Sequence, residues 1–210
     1  MRRLMERPVK MVFDSQNHPT FAGSLTIPIM ISRRFYLVIS LILAAAMVRL
    51  LPHAPNFAPV GAMGLFGAAY FRKSWALVLP FAALFLSDLV LNNTIYSAYF
   101  PTFTWISSPW MYLSFAAVVL VGLGWFSTGV SKWKVVGGAF SSSVVFFLVS
   151  NFGVFMESGM YPKTVAGLGM CYTAGLPFFT NTVVSDLLYS TILFGVYQFA
   201  ARKMAVVTVR

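Results

Sequence analysis

The chain of 210 residues is 59% hydrophobic and only 10% charged, against roughly 45–50% apolar and about 25% charged residues in ordinary soluble domains, so an all-α polytopic membrane domain accounts for it better than a soluble globule. Its 15 Lys and Arg against 5 acids give a net charge of +10; on a soluble protein this would suggest nucleic acid, but here it is read as a topology signal, and no nucleic-acid partner is expected. One cysteine, Cys171, and two histidines, His18 and His53, exclude an intramolecular disulfide and leave little for a Cys/His metal site, so neither metal nor cofactor is expected.

Residues 1–32 are polar and basic, with one apolar run from Phe21 to Ile31 that is too short to cross a bilayer, which takes about 20 helical residues. No small-residue cleavage site follows it. The segment reads as disordered or surface-lying, or as residues upstream of a true start at Met30. Six apolar stretches follow, near 35–51, 57–71, 75–91, 109–127, 135–156 and 177–200. They define a six-transmembrane-helix bundle over 33–203, with a short cytoplasmic tail at 204–210. The second stretch is short and opens with Asn56 and Pro59, which also suits a tilted or re-entrant segment.

Basic residues set the orientation, because short cytoplasmic loops retain Lys and Arg. Arg33 and Arg34 precede the first span, Arg72 and Lys73 separate the second and third, Lys132 and Lys134 separate the fourth and fifth, and Arg202, Lys203 and Arg210 follow the sixth. The loops between, 52–56, 92–108 and 157–176, hold one basic residue, Lys163. The expected topology is N-in/C-in. Trp75, Trp125 and Trp133 at the inner ends, and Tyr96, Tyr99, Trp105, Trp110 and Tyr112 at the outer ends, mark headgroup depth.

Ionisable residues inside spans are costly and default to functional hypotheses. Arg49 and Asp88 lie at similar depth near the outer ends of spans one and three, placed to pair; the alternative is that Arg49 snorkels and Asp88 anchors its helix. Asp186 lies near the middle of span six, where Thr182, Asp186, Tyr189 and Ser190 share one face. That stripe lines either a cavity or an interhelical hydrogen-bond network. Asn56, Asn92, Asn93, Asn151 and Asn181 add amides to the outer half. The expected ligand site is Asn56, Asp88, Asn92, Asn151, Asn181 and Asp186, with Cys171 and Tyr172 in a lid formed by loop 157–176, whose Gly159, Gly167 and Gly169 would let it move. Two acids and several amides suit a cationic or hydrogen-bond-rich ligand, and the aromatics suit a flat ring. Gly61, Gly64 and Ala68 in span two, and Gly137, Gly138 and Ala139 in span five, read as helix-packing positions. Ser87-Asp88-Leu89 recurs as Ser185-Asp186-Leu187, which would fit an inverted repeat of three helices per half or arise by chance.

No GxxxxGK[ST], GxSxG or HExxH string is present, so nothing supports ATP use or hydrolysis by these motifs. An enzyme is not the expected reading. An intramembrane acid or amidase using Asp186 and Cys171 is the only catalytic pairing that presents itself.

Several strings carry a resemblance: Pro55-Asn56-Phe57-Ala58-Pro59-Val60-Gly61-Ala62, Leu86-Ser87-Asp88, Ser150-Asn151-Phe152-Gly153-Val154, and Gly167-Leu168 through Cys171-Tyr172 to Leu176-Pro177-Phe178-Phe179 and Asp186. Over residues 35–200 the chain resembles an uncharacterised bacterial membrane family related to the S components, the substrate-binding subunits, of energy-coupling factor (ECF) transporters. The resemblance implies a six-helix protein of the bacterial inner membrane that captures a vitamin-like micronutrient from outside. An ECF coupling protein and ATPases would act in trans. The small-residue motif that many S components present from their first helix is only approximated by Ser40, Ala44, Ala45, Ala46 and Val48, which leaves a solitary transporter open. The alternative function is a non-transporting scaffold or assembly protein of the cell envelope.

Overall fold

The structure is a computed structural model that describes residues 33–71 and 73–207; the expectations for residues 1–32 and for Arg72 and Arg210 lie outside the described residues. The described chain is all-helical: α1 (Arg33–Val48), α2 (Val60–Tyr70), α3 (Lys73–Asn93), α4 (Pro109–Trp125), α5 (Lys132–Glu157) and α6 (Val165–Val207). Two starts follow ordinary capping chemistry. Ser108 accepts from the Trp110 N–H ahead of Pro109 at the first helical position, and Ser131 accepts from the Lys134 N–H. Helix α2 has no such cap, because Pro59 precedes it and no side chain of its own closes its start.

By length and apolar composition three helical stretches can cross a membrane, Ser74–Asn93, Lys132–Glu157 and Val165–Met204. Helices α2 and α4 are apolar but shorter. At 11 residues, α2 is about 16 Å long, roughly half a hydrocarbon core.

This short helix is nonetheless the centre of the bundle. It touches each of the other five helices, and its residues from Gly61 to Ala68 are all buried. A helix that is apolar on every side belongs inside, and the run VGAMGLFGAAY has no polar face to offer water. Met63, Leu65 and Phe66 join Val38 and Ile42 of α1, Val118 of α4 and Phe194 of α6 in the main core. Phe66 meets Phe194 edge-on at 5.3 Å between centroids.

Small residues let the surrounding helices approach. A Cβ on Gly64 would lie 3.1–3.3 Å from Phe115, Val118 and Val119. Ala68 faces Gly122, where an added Cβ would sit 2.8 Å away. On Gly137 and Gly138 it would meet Trp125 and Phe126 at 3.0 and 3.3 Å. The packing assigned to these positions therefore has named partners across α2–α4 and α4–α5.

The largest departure from the sequence reading is at α6. The loop expected at 157–176 ends at Thr164: residues 165–176 are the first turns of α6, which continues through Pro177 to Val207. An apolar-run reading stops at Pro177 because an internal proline removes one hydrogen bond. Flanking turns on both sides, however, carry α6 across it as they carry α3 across Pro80. Cys171 and Tyr172 are accordingly helical residues and not part of a lid, and Gly167 and Gly169 lie within the same helix.

Gly67 and Gly195 give a paired test of the packing. A Cβ on Gly67 would fall 2.5 Å from the rigid ring of Pro80, whereas Gly195 has open space around it. Gly67→Ala should destabilise by about 1–3 kcal/mol. Gly195→Ala should be neutral or stabilise by up to about 1 kcal/mol. Thermal unfolding of both variants in detergent measures the difference.

Candidate functional site

The segment from Arg49 to Ala62 joins α1 to α2 and is held at both ends by a Ser-Asp pair. At its start, Arg49 is buried against α3: Nη2 pairs with Asp88 Oδ1 at 2.7 Å, and Nη1 donates to Ser87 Oγ at 2.5 Å. Ser87 Oγ in turn donates to the Leu84 carbonyl at 2.8 Å. The second carboxylate oxygen of Asp88 accepts from Tyr112 of α4 at 2.8 Å. Through the two oxygens of Asp88, the chain just after α1 is tied to α3 and α4.

At the other end, α6 supplies the partners. Asn181 Nδ2 donates to the Pro55 carbonyl at 2.9 Å, and Ser185 Oγ donates to the Ala58 carbonyl at 3.3 Å. Phe57 packs edge-on against Tyr189 at 5.9 Å. One turn deeper, Asp186 is 1% exposed and accepts from Ser143 Oγ of α5 at 2.8 Å through Oδ2. The N–H groups of Gly61 and Ala62, in the uncapped first turn of α2, lie against this carboxylate. The partial positive charge of a helix start favours an anion there. Gly61 is what permits the approach, since a Cβ would fall 2.5 Å from Asp186 Oδ1 and 2.6 Å from Ser142 Oγ. The Ser142 hydroxyl lies beside the same carboxylate, and Oδ1 and Ser142 Oγ are both sealed from the surface.

Between these two clamps lie two neighbouring cavities, or lobes, that share part of their lining. One lobe, about 210 Å³, is lined by Asn56, Gly61, Phe146, Thr182 and Asp186 together with Arg49 and His53. The other, about 200 Å³, is lined by Asp88, Asn92, Phe100 and Ser107, again with Arg49 and His53. Tyr96 and Met111 also border both lobes. Arg49 Nε and Asn92 Nδ2 are buried here without a hydrogen-bond partner among the described residues. Burial, and then the Arg49 charge, push the His53 imidazole below its ordinary 6.5, so at neutral pH it offers one donor and one acceptor rather than a second cation.

Four of the eight residues expected to bind ligand thus line the cavity: Asn56, Asp88, Asn92 and Asp186. Four do not. Asn181 is spent on the Pro55 carbonyl. Asn151 donates to Phe147 within α5 and sits where Gly175 of α6 leaves room for it. Cys171 is buried with its thiol on the Asn151 carbonyl at 3.4 Å, and Tyr172 donates to the Leu148 carbonyl at 2.7 Å. The last three fasten α6 to α5. Fifteen helical residues separate Cys171 from Asp186, on the order of 20 Å, which removes them as a catalytic pair. Sequence reasoning missed His53, Tyr96, Met111, Ser142 and Ser143. His53 was visible as one of two histidines, whereas the serines of α5 carry no signal in an isolated sequence. Asn93, beside the lining Asn92, instead pins the following loop through the Thr104 backbone at 2.8 and 2.9 Å.

Residues 30–207 match the model of a family of unknown function, DUF6580. No curated protein and no solved structure matches the chain.

The Arg49–Asp88 pair makes a direct prediction. Asp88→Leu leaves the guanidinium buried and unpaired and should cost about 3–5 kcal/mol, whereas the double change Arg49→Met with Asp88→Leu should recover most of that loss. A double-mutant cycle of unfolding midpoints measures it; equal melting of the single and double variants would contradict a buried, mutually dependent pair.

Proposed function

The chain belongs to this family of unknown function, and we propose that it is a membrane-embedded subunit that binds a small, vitamin-like micronutrient for uptake. The observation that carries the reading is the cavity between Arg49 and Asp186: its lining combines aromatic and apolar side chains with a few polar ones, the usual make-up of a small-molecule site.

In this reading all six helices cross the bilayer of the bacterial inner membrane, with both termini in the cytoplasm. Helix α2 does so together with the segment before it, as the broken helices of transporters do. Arg33 and Arg34, Lys132 and Lys134, and Arg202 and Lys203 mark one end of the bundle. The cavity is bordered by the α1–α2 and α3–α4 connections, at the opposite end, and therefore faces the outside. Energy would come in trans from a coupling protein and ATPases of the ECF type. Residues 52–108 contain no P-loop, nor does the rest of the chain.

A scaffold role in the cell envelope draws its support from the Arg49–Ser87–Asp88–Tyr112 network, in which both Asp88 oxygens find partners within the protein and need no ligand. A thermal-shift screen of the purified protein against vitamins, nucleobases and metal ions separates the two. A true ligand stabilises the folded protein by mass action, by about 2.7 kcal/mol at a hundredfold excess over Kd, and so raises its melting point. The binding reading expects one chemical class to do so, and expects Asp186→Ala, checked for retained helicity by circular dichroism, to abolish the shift. No shift across the panel, with other envelope proteins co-purifying, would favour the scaffold.

A further inference from the structure

We propose that the cavity beside Asp186 takes an uncharged, flat ligand whose edge sets an N–H next to a carbonyl oxygen or ring acceptor, as a carboxamide or a cyclic amide does. This rests on the cavity being a ligand site and names the class of ligand it admits. With His53 neutral, the charged residues in its lining are Arg49 and Asp186, and both are buried, at 6% and 1% exposure. Arg49 directs its guanidinium to Asp88 and Ser87. Asp186 is enclosed by the Ser142 and Ser143 hydroxyls and the N–H groups of Gly61 and Ala62. A charged ligand would shed its water on entry and meet no accessible counter-charge, the costly way to bury an ion. The neighbouring cavity follows the same rule: its charged residues, Arg49 and Asp88, are buried and paired with each other at 2.7 Å. Asp186 serves the site from behind its wall. By holding the N–H groups of Gly61 and Ala62 it fixes the stretch of α2 whose Gly61 forms part of the lining.

The lining residues that keep accessible surface are uncharged. His53, Met111 and Phe146 are partly exposed, and Asn56 and Tyr96 are exposed. Tyr96 and Phe146 supply aromatic surface, which favours a flat ring. The neutral His53 imidazole carries one donor and one acceptor, and the Asn56 amide carries both as well. Groups that each donate and accept are matched by a ligand edge that does the same. An amide edge offers this without bringing charge.

Benzamide, benzoate and benzamidinium test the proposal, because they share one flat shape and differ in charge. Affinities for the detergent-purified full chain are read by calorimetry. Benzamide should bind at least about tenfold more tightly than either ion. Two variants test the polar edge: His53→Phe keeps a flat ring and removes its nitrogens, and Asn56→Gly removes the amide while suiting the positive φ of 60°. With folding checked by circular dichroism, each should weaken benzamide by about threefold or more, the range of one neutral hydrogen bond. Tightest binding by either ion, three affinities equal within about twofold, benzamide affinity unchanged in both variants, or no benzamide binding up to about 10 mM would overturn it. If one of those results appears while a vitamin-panel compound still binds in an Asp186-dependent way, the class falls and the binding reading stands; if nothing binds at all, both fall.

Discussion

Helix α2 starts inside the protein, and that constraint organises much of what surrounds it. The first N–H groups of a helix have no partner within it, and a short apolar helix enclosed by five others cannot turn to water for one. Pro59 removes the local side-chain solution. The carboxylate of Asp186, brought across from α6 and steadied by Ser143 of α5, meets the exposed amides of Gly61 and Ala62. A helix start and a buried anion, each costly alone, answer one another. The same contact joins α2, α5 and α6.

The second Ser-Asp pair plays a corresponding part at the other end of the same segment. Ser87 and Asp88 hold Arg49, while Ser185 and Asp186 hold Ala58 and the start of α2. With its ends tied to α3 and α6, the segment between them is suspended across the mouth of the bundle, and Asn56 adopts a positive φ of 60° to make the turn. The cavity is the space left beneath this suspended chain. Its polarity follows directly: the clamps place Arg49, Asp88 and Asp186 in its lining.

Much of the fold was legible because hydrophobic runs are strong, local signals. The helix positions, the Arg49–Asp88 partnership and the small-residue stripe of α2 could all be read from spacing and depth. The reach of α6 could not, since Pro177 and the surrounding glycines resemble a loop until tertiary packing supplies the missing support. For the same reason Cys171 and Tyr172 looked like lid residues when they are pegs between two helices. Amides were a weak guide: Asn92 lines the cavity and its neighbour Asn93 does not, a difference of one position on a helix that no composition reveals. Ser142 and Ser143 matter only because α5 lies beside Asp186, a relation between residues 43 positions apart in the case of Ser143.

The central claim is that the charge of Asp186 and the space beside it are held for a small molecule, and native mass spectrometry of the gently purified chain tests it most directly. The account predicts that the native protein carries a small-molecule adduct of defined mass which collisional activation releases intact, and that the Asp186→Asn protein, equally folded, arrives without it. A wild-type protein and an Asp186→Asn protein that both appear at the bare chain mass, and remain so after incubation with cell extract, would contradict it and leave the two clamps as internal fastenings alone.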